Sequence, residues 1–322
     1  MQNKPKVSVL VITYNHKNFI RKAIDSALAQ ETTFPVEILV GDDFSTDGTR
    51  DIVQSYEQEY PGRVKAVLQP RNLGMNGGLN CLETLKLAQG EYYAIMDGDD
   101  YWTDPHKLQK QADYLDAHPD YSAVFHNALV TFEEEGTSYL LNGPDMKPFY
   151  TLDDLIGEDE IWFMATSSIL FRNSIPEYPE WFKLSTSGDI PRLVLKAKMG
   201  PIGYMPDVMS VYRKNRAGAS FHDYVWDEKF LRNRIQMYSN INKELDYKYD
   251  RVLRKNIARY YRMMLDSKQY KDRYFWRAFY ALKYLHMAHP KKQIVKEVVR
   301  DYVVPTPLRK VYSAIRLLPY RL

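Results

Sequence analysis

Three carboxylates close the segment Gly90-Glu-Tyr-Tyr-Ala-Ile-Met-Asp-Gly-Asp-Asp100: Asp97, Asp99 and Asp100. Clustered acids repel one another, so a fold tolerates them best where a cation or a sugar hydroxyl takes up the charge. A hard divalent ion holding a diphosphate fits that chemistry. A second acidic run is Asp42-Asp-Phe-Ser-Thr-Asp-Gly48. A further acid, Asp189, stands in Ser187-Gly-Asp-Ile-Pro191, which reads as a helix start. Proline falls in the first turn there, and the aspartate lies near the positive end of the dipole. An aspartate kept ionised in that way can take a proton from an attacking hydroxyl.

The elements that must position these acids alternate. Val7–Ile12 reads as a buried strand, Asn18–Gln30 as a helix and Val36–Gly41 as a second strand that runs into the acidic pair. A helix from about Thr49 to Tyr60 and a strand at Val64–Leu68 follow. The turn Asn72–Gly78 leads into a helix through Leu87, then come the Tyr92–Met96 strand and a helix near Pro105–Ala117. This rhythm predicts a largely parallel sheet with helices on both faces. In such sheets ligands bind at the carboxyl ends of the strands, where the acids stand. Beyond Tyr121 the pattern predicts strands at Ser122–Phe132, Thr166–Phe171 and Ile202–Tyr212, the last with irregular ends. Helices are expected at Thr151–Ile156 and Ile190–Met199. After about Tyr224 only helices are expected, and Ile257, Tyr260, Tyr261, Met264 and Leu265 share one apolar face.

The composition, 45% hydrophobic and 26% charged over 322 residues, is that of a soluble globule of one or two domains. A single cysteine, Cys81, excludes a disulfide framework and a four-cysteine zinc site. No segment reads as a signal peptide or reaches the ~18 apolar residues of a membrane span, so a cytoplasmic protein is expected. The net charge of +3 is unevenly held. Residues 1–224 carry 21 Lys+Arg against 32 Asp+Glu (−11), and residues 225–322 carry 23 against 9 (+14). Such a split predicts two functional regions, the basic one facing something anionic. No GxxxxGK[ST] or GxGxxG is present, so a glycine-rich phosphate cradle is not expected. The half EF-hand Asp43-x-Ser-x-Asp-Gly48 has Gln54 where the bidentate Glu belongs, and is set aside.

Four segments together resemble family 2 glycosyltransferases of the GT-A fold, largely bacterial enzymes that build surface polysaccharides. They are Val9–Asn15, Glu37–Thr49, Gly90–Asp100, and Ser187–Asp189 with Tyr212-Arg213, and the likeness covers residues 5–222. The fold implied is α/β: a Rossmann-like GT-A domain at 1–222, then a basic helical region at 223–322. By resemblance Thr13, Tyr14 and Asn15 form the rim that receives the nucleotide base, with Tyr14 against the ring. Asp43 would accept the uracil N3–H, as an acceptor-only carboxylate suits. Asp97 and Gly98 would lie at the ribose, and Asp99 or Asp100 would bind Mn²⁺ or Mg²⁺ across the diphosphate, Asp99 being favoured. Asp189 would be the base of an inverting transfer. Many relatives carry Glu-Asp where this chain has Gly188-Asp189, and a histidine where it has Asn215. Arg213 or Arg216 would then compensate at the diphosphate. Trp162 is read equally as an acceptor-sugar platform or a core residue.

The implied activity moves a hexose from a UDP-sugar to a hydroxyl of a glycan, plausibly lipid-linked, at the inner face of the cell membrane. Thr306-Pro307 reads as the start of a basic amphipathic helix that would lie on that membrane or pack on the protein, with a second subunit as another taker. Aromatics interleave with Lys and Arg in the tail, but at helical spacing and interrupted by acids, so no nucleic-acid partner is expected. A nucleotidyltransferase, which would not need Asp189, and a silent homologue are the rival readings.

Overall fold

The computed structural model describes residues 4–74, 77–157, 163–175, 177–215, 227–267, 270 and 273–305. The chain divides into two compact units, residues 1–225 and 226–322.

The first unit is built on one mixed sheet. Its amino-terminal strands are β1 (Val7–Thr13), β2 (Val36–Asp42), β3 (Val64–Leu68) and β4 (Tyr92–Asp97). Between them run helices α1 (Ile20–Leu28), α2 (Thr49–Glu59) and α3 (Gly78–Leu85). The strands lie in the order β3-β2-β1-β4, all parallel. The chain thus steps outward from β1 to β3 and returns to the other side of β1, which makes a switch point between β1 and β4. Register places Thr13 beside Asp42, and Ile12 beside Asp97. The acids therefore reach one edge of the sheet because their strands end level.

Helices cover both faces, so β1 is apolar on both. Val7, Val9 and Val11 pack with Ile20, Ile24, Val53 and Leu108 on one side. Leu10 and Ile12 pack with Tyr93, Ile95, Phe125 and Leu193 on the other. Alternation of side chains across a strand produces this division, and burial on both faces produces the unbroken apolar run.

The sheet continues through β5 (Tyr101–Trp102), β6 (Ala123–Phe132), β7 (Thr137–Leu140), β8 (Phe149–Tyr150), β9 (Ile169–Arg172) and β10 (Ile202–Lys214). Strand β9 sits antiparallel between β4 and β6, while β6 and β10 are parallel. Helices α4 (Lys107–Ala117), α5 (Leu152–Leu155) and α6 (Asp189–Met199) complete the unit.

Two expectations are corrected here. The strand expected at Thr166–Phe171 begins only at Ile169, because Thr166–Ser168 is a 3₁₀ turn. The Ser168 hydroxyl donates to the Ala165 carbonyl at 2.7 Å, a local bond that competes with the sheet ladder. The irregularity of β10 lies in its middle, where register shifts between Met205 and Ser210. Pro206 stands in that stretch and has no N–H for the ladder.

The described part of the second unit is helical: α7 (Glu228–Glu244), α8 (Asp250–Asp266), α9 (Tyr274–Ala288) and α10 (Lys292–Val298), with a π turn at Val299–Val303. Of the apolar face expected on α8, Ile257, Tyr260, Met264 and Leu265 are buried and Tyr261 is half-buried. The Tyr260 ring stacks on Tyr238 of α7 with centroids 6.0 Å apart. The helix expected from Thr306 lies outside the described residues. No helix among the described residues is long and apolar enough to cross a membrane.

Candidate active site

The loops after β1 and β2 are stitched into one rim. Asn15 adopts φ +56°, a left-handed conformation that asparagine tolerates better than most side chains. Its N–H donates to Ser45 Oγ at 2.9 Å, and its side-chain oxygen accepts from the Thr46 N–H at 2.9 Å. Farther along, the Lys17 N–H donates to Asp47 Oδ2 at 3.0 Å, and the Asp43 N–H donates to the Thr13 carbonyl. With the backbone tied down on both sides, Tyr14 is left 46% exposed on the rim. Phe44, at φ +64°, is exposed as well, and the Arg50 guanidinium lies 5.7 Å from its ring centre.

The paired acids on β2 separate in role. Asp42 is fully buried and accepts from the Ser45 N–H (3.1 Å) and Arg50 Nη1 (3.3 Å), which fastens the loop. Asp43 Oδ1 accepts from the Leu73 N–H at 2.7 Å. Burial pushes the Asp43 carboxyl above its usual range, against the lowering pull of the Leu73 and Gly74 N–H groups. A carboxylate offers about four lone-pair positions, so this one can accept further donors.

At the end of β4, Gly98 donates its N–H to the Ile12 carbonyl at 2.7 Å. A Cβ there would stand 2.7 Å from Thr13 Oγ1 and 2.8 Å from His16 Nδ1, so no side chain fits. Those same two atoms are buried with no hydrogen-bond partner among the described residues. The glycine thus lets these two polar groups approach the end of β4.

The three acids face different ways. Asp100 turns into the protein: its Oδ1 accepts from the Arg213 N–H at 2.9 Å, and the Ser167 hydroxyl also bonds its carboxyl. Burial raises its pKa well above the ordinary range, with Asp99 and Asp97 adding to the shift. Asp99 is largely enclosed as well, its side chain 13% exposed. Its Oδ2 accepts from Asn215 Nδ2 at 3.0 Å and lies 4.0 Å from His16 Nε2. Asp97 keeps a strip of solvent contact but is otherwise enclosed, and its carboxyl is pushed up to about 8. Burial is the first cause, then the charges of Asp99 and Asp189, while Arg192 opposes them.

Asp189 is the first residue of α6, after Gly188 at the cap, and its side chain is 59% exposed. Arg192, one turn on, brings Nη1 within 3.9 Å of it. That guanidinium is buried, donates to Cys81 Sγ at 3.3 Å, and lies over the Tyr178 and Phe182 rings. Burial works against its charge, but Cys81, Tyr178, Tyr93 and Asp189 around it more than offset that. Asp97, Asp99 and Asp189, from two separate elements, therefore share one field with one buried cation beneath it.

Of the other expected residues, Arg213 sits in the protein. Its guanidinium lies 4.5 Å from the Tyr101 ring centre and 5.1 Å from that of Phe19, and Nε is 2.9 Å from Glu133 Oε1. Its backbone, not its guanidinium, touches the acidic cluster. Arg216 and Trp162 lie outside the described residues. Among the described residues no three His, Cys, Asp or Glu side chains converge as a metal cage. His16, Phe44 and Arg192 were not singled out from sequence, since no spacing ties them to the acids. Asn215 was noticed only as a missing histidine.

Comparison with known proteins agrees with this architecture. The sequence profile described as "Glycosyl transferase family 2" matches residues 8–177, more than half of the chain. An uncharacterized protein of Mycobacterium tuberculosis is 35% identical over 71% of this chain, which spans 64% of that relative's length. The Escherichia coli protein WfaP, described as a UDP-Glc:alpha-D-GlcNAc-diphosphoundecaprenol beta-1,3-glucosyltransferase, is 36% identical over 34% of this chain and 41% of its own. Among solved structures, residues 1–349 of Staphylococcus aureus TarS in complex with UDP-GlcNAc superpose with a TM-score of 0.60. That match is 20% identical and covers 86% of this chain and 81% of that one, a likeness of fold.

Proposed function

Given that the chain belongs to glycosyl transferase family 2, we propose that it is an inverting, metal-dependent transferase. It moves a hexose from a UDP-sugar to a hydroxyl of a lipid-linked glycan during surface polysaccharide assembly. The observation that carries this reading is the shared field of Asp97, Asp99 and Asp189 at the carboxyl edge of the sheet.

In this reading the uracil lies against the exposed Tyr14 ring on the rim made by Thr13 and Asn15, with Asp43 accepting its N3–H. Asp97 and Gly98 lie at the ribose. The acids fit a divalent ion: Asp97 is raised first by burial and then by the charges of Asp99 and Asp189, and a cation beside them would relieve that repulsion. With no three-ligand cage among the described residues, Asp99 would hold Mn²⁺ or Mg²⁺ jointly with donor phosphates, as such ions are commonly held. When bound, the ion neutralises charge on the departing diphosphate.

Asp189 takes the proton of the acceptor hydroxyl as its oxygen attacks the anomeric carbon. The new C–O bond forms as the bond to UDP breaks on the opposite face, so configuration inverts. The exposure of Asp189 lets the proton pass on to water. Arg192 stays beneath as a fixed cation, its Nη1 3.9 Å from the Asp189 carboxylate. In this reading Arg216 contacts the donor phosphates, and Trp162 either contacts the acceptor sugar or has a core role.

The acceptor class takes support from WfaP, whose name specifies a diphosphoundecaprenol-linked sugar, and the donor class from WfaP and the TarS complex. Calorimetric titration of UDP in the presence of Mn²⁺ and then of EDTA tests the donor site. Heat that appears only with the metal is expected. Absence of binding under both conditions would reject a UDP-dependent transferase.

A further inference from the structure

Helix α9 carries an apolar stripe on its outside. Phe275 is 85% exposed, Leu282 55%, Trp276 46% and Phe279 45%. Phe275, Phe279 and Leu282 follow the i, i+4, i+7 spacing of one helix face, and only Tyr280 and Ala281 of the helix are buried. Contiguous large apolar side chains left in water mark a surface that something covers.

The charge around the stripe says what. From Arg273 to Lys296 the chain has no Asp or Glu, and it carries Arg273, Arg277, Lys283, Lys291, Lys292 and Lys296. The Lys283 ammonium lies 5.6 Å from the Phe279 ring centre, so cation and apolar face are presented together. We infer that the outer face of α9 is a docking surface for an anionic lipid bilayer. Phe275, Phe279 and Leu282 enter the acyl boundary while Lys283 and the lysines that follow it meet the headgroups.

The same charges disfavour the other occupants. A second copy placed face to face would bring two acid-free basic stretches together. Residues 306–322 of the same chain contain Arg309, Lys310, Arg316 and Arg321 and no acid, so they too would meet like charge. A nucleic acid would pair with the cations but gains little from Leu282, which has no ring to stack on a base. The inference does not depend on the donor chemistry, because vesicle binding and UDP binding are read separately.

The test is co-sedimentation of the full chain with phosphatidylcholine–phosphatidylglycerol vesicles and with pure phosphatidylcholine vesicles. Combined Phe275→Ser, Phe279→Ser and Leu282→Ser should lower binding to the mixed vesicles at least about tenfold. Circular dichroism and UDP titration should be unchanged. Lys283→Glu should weaken binding to the mixed vesicles alone. Phe275→Ser by itself, at the most exposed position, serves as the second variant if the triple variant does not fold. Wild-type binding of the variants to mixed vesicles would overturn the inference. A lipid-free dimer that the triple variant loses would also overturn it, assigning the face to a second copy.

Discussion

Asn215 donates its side-chain amide to Asp99 Oδ2 at 3.0 Å across 116 residues of chain. The residue at the missing-histidine position therefore orients the acid assigned to the metal. Groups behind a metal ligand typically change affinity 10–100-fold when removed. Asn215→Ala is expected to weaken Mn²⁺-dependent UDP binding by about tenfold, and Asp99→Asn to abolish it. Asp100→Asn, behind them, should retain metal-dependent binding and lower thermal stability instead. Loss of binding in Asp100→Asn with retention in Asp99→Asn would reverse the assignment.

Gly98 has neighbours where a side chain would begin, at 2.7 Å from Thr13 Oγ1 and 2.8 Å from His16 Nδ1. Gly98→Ala must push the β1 loop away from the end of β4. A cost of roughly 1–3 kcal/mol is expected by urea unfolding, together with weakened UDP binding. An unaltered unfolding midpoint would show that the loop gives way freely.

Asp189→Asn removes the proposed base but leaves the nucleotide rim intact. Turnover should fall by about 10²–10⁴-fold while UDP affinity stays within about twofold of wild type. Equal losses in both would mean that Asp189 holds the donor rather than the acceptor proton.

Lys196 lies buried on α6, and its ammonium is pulled down to about 7, first by burial and then by Arg192 and Arg172. The unfolded chain keeps an ordinary lysine, so between pH 7 and about 10.5 it binds the extra proton. Stability contributed at this site therefore rises with pH across that window and is lost as pH falls toward 7. Relative to Lys196→Met, the wild type should gain on the order of 2–4 kcal/mol between pH 7 and pH 10. A difference that does not change with pH would place the lysine's charge in contact with water.

The acids, their strands and the parallel core could be read directly from the chain. Val7–Thr13, Val36–Asp42 and Tyr92–Asp97 declare themselves because strands buried on both faces are predominantly apolar, and an acid marks the end of the second and third. Asp189 could be read too, since Gly-Asp-Ile-Pro is a local helix start. The turn at Thr166–Ser168 and the shift within β10 could not be placed by period alone. There a serine hydroxyl and a proline act against the ladder.

What the sequence by itself determined was which residues end level at the sheet edge, because strand length and local capping are encoded within a few neighbours. Only the tertiary structure decided how Asp99 and Asp100 divide. Their neighbours in sequence are nearly the same, but Arg213 and Asn215 arrive from β10 and its end, more than a hundred residues later. The same holds for Arg192, a helix residue like many others until packing sets it beside Cys81 and beneath the acids. Side-chain direction at a site is chosen by the partners the fold delivers, and long-range partners leave no period in the chain.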